Sequence, residues 1–521
     1  MRGLARPGVT RRDTALLMGG AALALSFTPS LVARRRGDQI RISALAAVLG
    51  AAAGTAGEVA VVRLAGRLEG GEPAARTLLA AGALVSSGLR LPAHRSSGIA
   101  LAGSGAIVAG AAAVLGAVAP VRSRSRLRDP WVAAAAAVLA TGAALGARAA
   151  QKRPPRARLT EWPDGYPEGT SGGDGSLLPR EKLDFEGRRF LGTTLRAERI
   201  EALRGAPARA PIRVFAGVGS APTVEERCAL AVAELERLGA FDRPRVVVWS
   251  ATLRGYVNPV PMQAEELFGR GDVAGVCVQF WDRPTPLMPL KVRIAAHTHA
   301  ELLRRLAERV GPDGPEIVVY GESLGAWASQ NVFRREGVRA LDGLRVGRAL
   351  WAGTPFFSRL PRLMARGKVP SDDRVGLLNT RELLAADPAD AARLRFLFLQ
   401  RRADPVVLFS GLELIWRRPD WLPDAPFRPD GVPRAQRWIP GITFLQVAVD
   451  LMRATRWTSD VPRAAAHDYR VELPLAVNTA FGHHLPRAEA VRLADELIAM
   501  EVERAGRLKA LRRGQPRERA R

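Results

Sequence analysis

The apolar positions fall into two regimes along the chain. In the first 150 residues they form long uncharged runs: Thr14 to Ala33, Ile42 to Val62 with Glu58 near one end, Thr77 to Leu89, Gly98 to Ala119, and Trp131 to Ala147. The run from Thr14 to Ala33 is 20 residues, the length that crosses a hydrocarbon layer as a helix. Thr77 to Leu89, between Arg76 and Arg90, holds only 13 residues and spans only if both arginines snorkel. The pattern therefore predicts an all-α transmembrane helical domain over 1–150 with four to five spans. Gly and Ala at four-residue spacing let such helices approach closely. A soluble Ala-rich bundle would carry charge on one face of each helix, and these runs have almost none.

Beyond about residue 193 the apolar runs shorten and alternate with helical patterns. Strands are predicted at Ile212 to Val218, Arg245 to Trp249, Val273 to Phe280, Ile317 to Tyr320, Val346 to Trp351 and Leu394 to Gln400. Helices fall between them, at Thr223 to Leu238, with a Thr223/Glu226 capping box and Gly239 as its stop, and at Leu290 to Arg309. Short, continuously apolar strands separated by helices specify a mainly parallel sheet covered on both faces. The fold class is thus α/β over 193–505, preceded by a Pro- and Gly-rich linker at 151–192 and followed by a basic tail at 506–521.

Charge sharpens the first regime. The chain carries a formal +26, of which residues 1–158 hold +16. The arginines there punctuate apolar runs and form no basic stripe with interleaved aromatics, which excludes nucleic acid and makes the lipid bilayer, through anionic head groups, the expected partner. Basic residues stand at the amino terminus and in every connection, so the positive-inside rule assigns no side to the C-terminal part. A signal peptide is rejected because the first apolar run exceeds an h-region and further runs follow. The two cysteines, Cys228 and Cys277, read as buried small hydrophobes, with no disulfide framework and no metal motif. His297 and His299 stand at i and i+2 on a helix and cannot chelate one ion together. No cofactor or metal is expected.

The stretch carrying chemistry is Gly321-Glu322-Ser323-Leu324-Gly325, directly after an apolar strand and before a helical run. This is the form of a nucleophile elbow, with Ser323 on a strained strand-to-helix turn flanked by glycines. A serine hydroxyl needs a histidine to take its proton and a carboxylate to orient that histidine. In this arrangement acid and then base follow the serine. Asp404, at a strand end before Pro405, is the preferred acid over Asp372, Asp373 and Asp450, and His467 the preferred base over His483 and His484. The oxyanion donors are expected at the Leu324 N–H and in the loop at Ser250 to Leu253 or at Gly219-Ser220, with Thr252 favoured. Between acid and base, a Pro-rich interval with Trp416, Trp421, Trp438, Phe444, Met452 and Trp457 reads as a lid-like insertion at about 409–462 or an apolar acyl pocket, with plain core packing as the equal alternative.

Taken together, the residues resemble a family of bacterial membrane-anchored α/β-hydrolases, in which a multi-helix membrane region precedes the catalytic domain. The resemblance rests on Thr28-Pro29-Ser30-Leu31, Ser220-Ala221-Pro222-Thr223, Gly321 to Ala326, Arg348-Ala349-Leu350-Trp351 and Asp404-Pro405-Val406-Val407. It continues through Arg418-Pro419-Asp420-Trp421-Leu422, Phe444 to Leu451 and Val461-Pro462. Members carry a glycine and a second histidine just before the base, where this chain has Ala464-Ala465-Ala466. The resemblance implies an α/β-hydrolase fold and a serine hydrolase with Ser323, Asp404 and His467 as its triad. The serine chemistry itself points to an ester or other acyl substrate, small-molecule or lipid, and the apolar interval to an apolar acyl group. An acyltransferase using the same acyl-enzyme, or a non-catalytic membrane binding module on this fold, are the alternatives.

Overall fold

The alternating apolar runs become a seven-stranded parallel sheet in a computed structural model. The described residues are 11–32, 36–65, 162 and 165–514, with breaks at 253–254, 283–287, 312, 387, 424–428, 430, 455–461 and 464–465. The strands are β1 (Ile212–Ala216), β2 (Arg245–Ser250), β3 (Ala274–Val278), β4 (Glu316–Glu322), β5 (Val346–Ala352), β6 (Val375–Leu378) and β7 (Phe396–Leu399), in spatial order β1-β3-β2-β4-β5-β7-β6. Their runs are continuously apolar because both faces are covered, and alternate residues enter two different cores. Val247, Trp249, Val318, Tyr320 and Leu350 pack on one face, and Val246, Val248, Val319, Ala349 and Trp351 on the other. The strand β6 was not anticipated from the sequence, because it is a four-residue edge strand with Leu377 half exposed.

The connecting helices follow their local signals. Helix α3 (Val224–Arg237) begins with the expected capping box, Thr223 accepting from the Glu226 N–H while Glu226 accepts from the Thr223 N–H. Helix α4 (Pro259–Phe268) is N-capped by Asn258, α5 (Met288–Arg309) precedes β4, and α6 (Leu324–Phe333) leaves the turn at Ser323. The part of the expected linker from 165 to 192 is instead packed. Thr170 bridges to Arg213 at the start of β1, and Leu178, Phe190 and Leu191 are buried. Its prolines and glycines shape turns against the sheet's edge.

The chain divides into two compact units, one of residues 150–408 and 456–521, the other of residues 1–149 with 409–455. The interval read as a lid thus belongs with the N-terminal helices. In that second unit, α1 (Arg11–Leu25) and α2 (Arg36–Ala65) meet α7 (Ile442–Ala454), with Ala22, Ala46 and Ile442 in a shared core. Polar residues on one face of α7 complete the contact. Gln446 Nε2 donates to the Thr28 carbonyl at 3.1 Å, and Asp450 accepts from the Ser30 hydroxyl and from the Val32 N–H at 3.3 Å. Arg453 pairs with Asp38 at 3.3 Å.

The first expected span does not form one continuous helix. It stops at Leu25, where the Ser26 and Thr28 hydroxyls bond back to the Leu23 and Leu25 carbonyls and Pro29 follows. Fifteen helical residues reach about 22 Å, short of the roughly 30 Å hydrocarbon core. Among the described residues no helix is long and apolar enough to cross a membrane. The runs at 77–89, 98–119 and 131–147 lie outside the described residues.

Candidate active site

Strand β4 delivers Ser323 to the C-terminal edge of the sheet, and α6 starts at the next residue. Ser323 has φ 56° and ψ −124°, a conformation that costs an L residue about 1–3 kcal/mol and persists only where its surroundings enforce it. Those surroundings are visible. The Ser323 N–H donates to the Ala352 carbonyl at 3.0 Å, and the flanking glycines leave no room for a side chain. A Cβ on Gly321 would lie 2.7 Å from the Ala326 Cα, and one on Gly325 2.4 Å from the Ser250 carbonyl oxygen. Burial of the β4 side chains, worth about 1.5–3 kcal/mol each, supplies the rigidity that holds the strain.

Asp404 and His467 come together across 63 positions of chain. His467 Nδ1 lies 2.6 Å from Asp404 Oδ2, and both side chains are buried. The other Asp404 oxygen accepts the Val406 N–H at 2.8 Å. With Nδ1 facing a carboxylate, the second ring nitrogen Nε2 is the one left for chemistry, and it makes no hydrogen bond among the described residues. Burial by itself lowers the basicity of His467, but the Asp404 charge and hydrogen bond, with Glu322 adding to them and Arg401 opposing, raise its pKa above the usual imidazole value. The arrangement therefore favours an imidazole that accepts a proton and holds it beside a carboxylate.

Two residues that the sequence did not point to hold this pair in place. The Tyr469 hydroxyl donates to Asp404 Oδ2 at 2.8 Å and accepts from the Arg401 N–H at 2.9 Å. Its ring stands edge-on to His467 at 5.8 Å. The Arg401 guanidinium donates to the Ala466 and Asp468 carbonyls, each at 3.0 Å, so it grips the backbone on both sides of His467. It also pairs with the buried Glu472. The sequence signal for Tyr469 is an aromatic residue two positions beyond His467.

The rival bases are placed elsewhere. His483 Nε2 contacts Glu265 at 2.6 Å, and Glu265 bonds Arg245, which bonds Glu316 at 3.0 Å. Arg245 and Glu316 open β2 and β4, so this network sits at the opposite end of the strands from Ser323, roughly 20 Å along β4. His484 follows it in the same loop. His297 and His299 point apart as their spacing requires: His297 is exposed and meets Glu225 at 2.7 Å, whereas His299 is buried against the Ser250 hydroxyl at 2.6 Å. Among the rival acids, Asp450 is held by Ser30 and Val32 in the other unit, and Asp372 is tied to Arg374.

Of the two expected oxyanion donors, Leu324 and Thr252, one has its backbone N–H already committed. Leu324 is the first residue of α6, where the N–H has no partner within the helix. The Thr252 N–H, by contrast, donates to the Tyr256 carbonyl at 2.7 Å, closing a tight turn. Only the Thr252 hydroxyl is left for the donor role that its backbone was expected to share. A cleft of about 120 Å³ is lined by Thr354, Phe356, Arg362, Leu377, Gln400 and Val407, and Ser323, Asp404 and His467 are not in its lining. Cys228 and Cys277 are both buried, which pushes their thiol pKa values up, for Cys228 to about 12. Among the described residues no group of three His, Cys, Asp or Glu side chains is placed to hold a metal ion.

A protein-family model described as alpha/beta-hydrolase family matches residues 212–483, the span from β1 to the loop after Ala480. No curated protein and no solved structure matches the chain.

Proposed function

From the premise that this chain belongs to the alpha/beta-hydrolase family, we propose that it is a serine hydrolase acting on an ester or other acyl substrate. The observation that carries this reading is the strained Ser323 at a strand end, in a unit that also joins a buried Asp404 to His467 at 2.6 Å. In the proposed reaction Ser323 Oγ attacks the acyl carbonyl carbon while His467 Nε2 takes the hydroxyl proton. Asp404 keeps Nδ1 protonated and stabilises the imidazolium. The Leu324 N–H, with the Thr252 hydroxyl as second donor, stabilises the oxyanion. His467 then returns its proton to the leaving alcohol, and water, deprotonated in the same way, releases the acid and restores Ser323.

The acyl group is proposed to be apolar and the protein to be anchored in a membrane through its N-terminal region. Support for the anchor is the set of uncharged runs and the +16 charge in residues 1–158. The chemical reading is tested by a fluorophosphonate probe on purified protein. Labelling that disappears in Ser323→Ala is expected, and absence of labelling in the wild type, or undiminished labelling of Ser323→Ala, overturns it. The anchor is tested by cell fractionation. Retention in the membrane pellet after alkaline carbonate washing is expected, and release into the supernatant rejects it.

A further inference from the structure

Glu322 precedes the nucleophile and has no part in the steps above, yet it is a buried carboxylate at the end of β4. One of its oxygens, Oε2, accepts from Asn258 Nδ2 at 3.0 Å and from the Tyr320 hydroxyl at 3.1 Å. The other, Oε1, is buried without a hydrogen-bond partner among the described residues, as is Nε2 of His467. Two independent relationships bring the carboxylate and the imidazole to the same face of the sheet. Glu322 is in register with Ala352, and the residue after Ala352, Gly353, lies directly against the His467 ring. The Tyr320 bond puts Glu322 on the Tyr320 side of β4, the side whose core also contains Tyr469, the residue that bonds Asp404.

We propose that Glu322 is a positioning residue of the base: held by Asn258 and Tyr320, its carboxylate sets a second negative charge beside His467 and favours the protonated ring. This rests on the reading of His467 as the base. Two donors on one oxygen favour the ionised carboxyl, while a buried oxygen left without a donor is costly unless a cation or a proton comes to it. An imidazolium formed when His467 takes the serine proton is such a cation. The charged and titratable groups around the pair are Asp404 at Nδ1, Arg401 on the loop carbonyls, Asp468 beyond the base, and the Tyr320, Tyr256 and Tyr469 hydroxyls. Burial raises the Glu322 pKa, opposed by the His467 charge and by the Asn258 and Tyr320 bonds. Asn258 is not spare in this role, since its Oδ1 caps α4 by accepting the Val260 N–H at 3.1 Å. The cap therefore fixes the amide that fixes Glu322.

The test is an NMR titration of the His467 ring in full-length protein labelled with ¹⁵N-histidine, which reads the base without turnover. Glu322→Gln, an isostere without charge, should lower the His467 midpoint by about one pH unit, a tenfold change in proton affinity, and Glu322→Asp should restore most of it. In the wild type the His467 signals should show two inflections, one of them from Glu322. A midpoint unmoved by Glu322→Gln overturns the proposal. If that variant does not fold, a single inflection in the wild type overturns it equally. Protein that shows these shifts but takes up no fluorophosphonate supports the charge relationship and rejects the hydrolase reading alone.

Discussion

Gly353 and His467 occupy adjoining space at the end of the sheet: a Cβ on Gly353 would lie 2.6 Å from the ring Cε1 and 3.0 Å from Nδ1. Gly353 also has φ +56°, so an alanine there meets both backbone strain and a rigid ring. Gly353→Ala should cost about 1–2 kcal/mol of stability through its backbone. By displacing the base it should slow fluorophosphonate labelling by about 100-fold. Stopped-time labelling together with a thermal melt checks both. Labelling within twofold of wild type in a folded variant would show that the ring position is not critical.

Tyr469 offers a milder perturbation of the same pair. Tyr469→Phe removes the hydroxyl bond to Asp404 and leaves the Arg401 N–H without its acceptor. A buried donor left unmatched costs about 1–3 kcal/mol, readable in urea melts. Labelling should slow less than in Asp404→Asn, because the direct contact between Asp404 and His467 survives.

Acid should weaken the fold in two successive windows. Burial holds His299 neutral, with its pKa lowered to about 4 from an ordinary value of 6.5. The unfolded chain thus binds the extra proton first, and stability declines as pH falls from about 6.5 toward 4, by on the order of 3 kcal/mol. Burial alone would raise the Glu265 pKa, but His483 and Arg245 outweigh it and hold it at about 2. Its contribution is complete above pH 4.5 and is lost between 4.5 and 2, again on the order of 3 kcal/mol. Urea melts from pH 7 to 3 should show both declines. His299→Gln should flatten the upper one and leave the lower, and an unchanged upper decline would assign it to another group.

Asp450 ties α7 to the chain just beyond α1 through Ser30 and Val32. Asp450→Ala leaves the Val32 N–H and the Ser30 hydroxyl without this acceptor, at about 1–3 kcal/mol. Trypsin should then cut after Arg34, Arg35 and Arg36, at the start of α2, several-fold faster than in the wild type. Equal cutting rates would show that the apolar contacts of α7 hold this region alone.

Local chemistry made much of this protein readable from its sequence. Continuous apolar runs specify buried parallel strands, Thr223 and Glu226 specify a helix start, and Gly321 to Gly325 specify a tight turn around a serine. Each depends on residues within a few positions of one another. What required the tertiary structure involves partners far apart in sequence. The contact of Asp404 with His467 joins residues 63 positions apart, and the network at the β2 and β4 starts holds His483 at the opposite edge. Tyr469 and Arg401 show no motif, since their hydrogen bonds lie at the ends of strands that only the sheet order makes neighbours. The interval between acid and base reads as a lid by composition, yet α7 docks on helices some 400 residues earlier. Sequence periodicity reveals which face of a helix is apolar, and only the folded chain decides what that face meets.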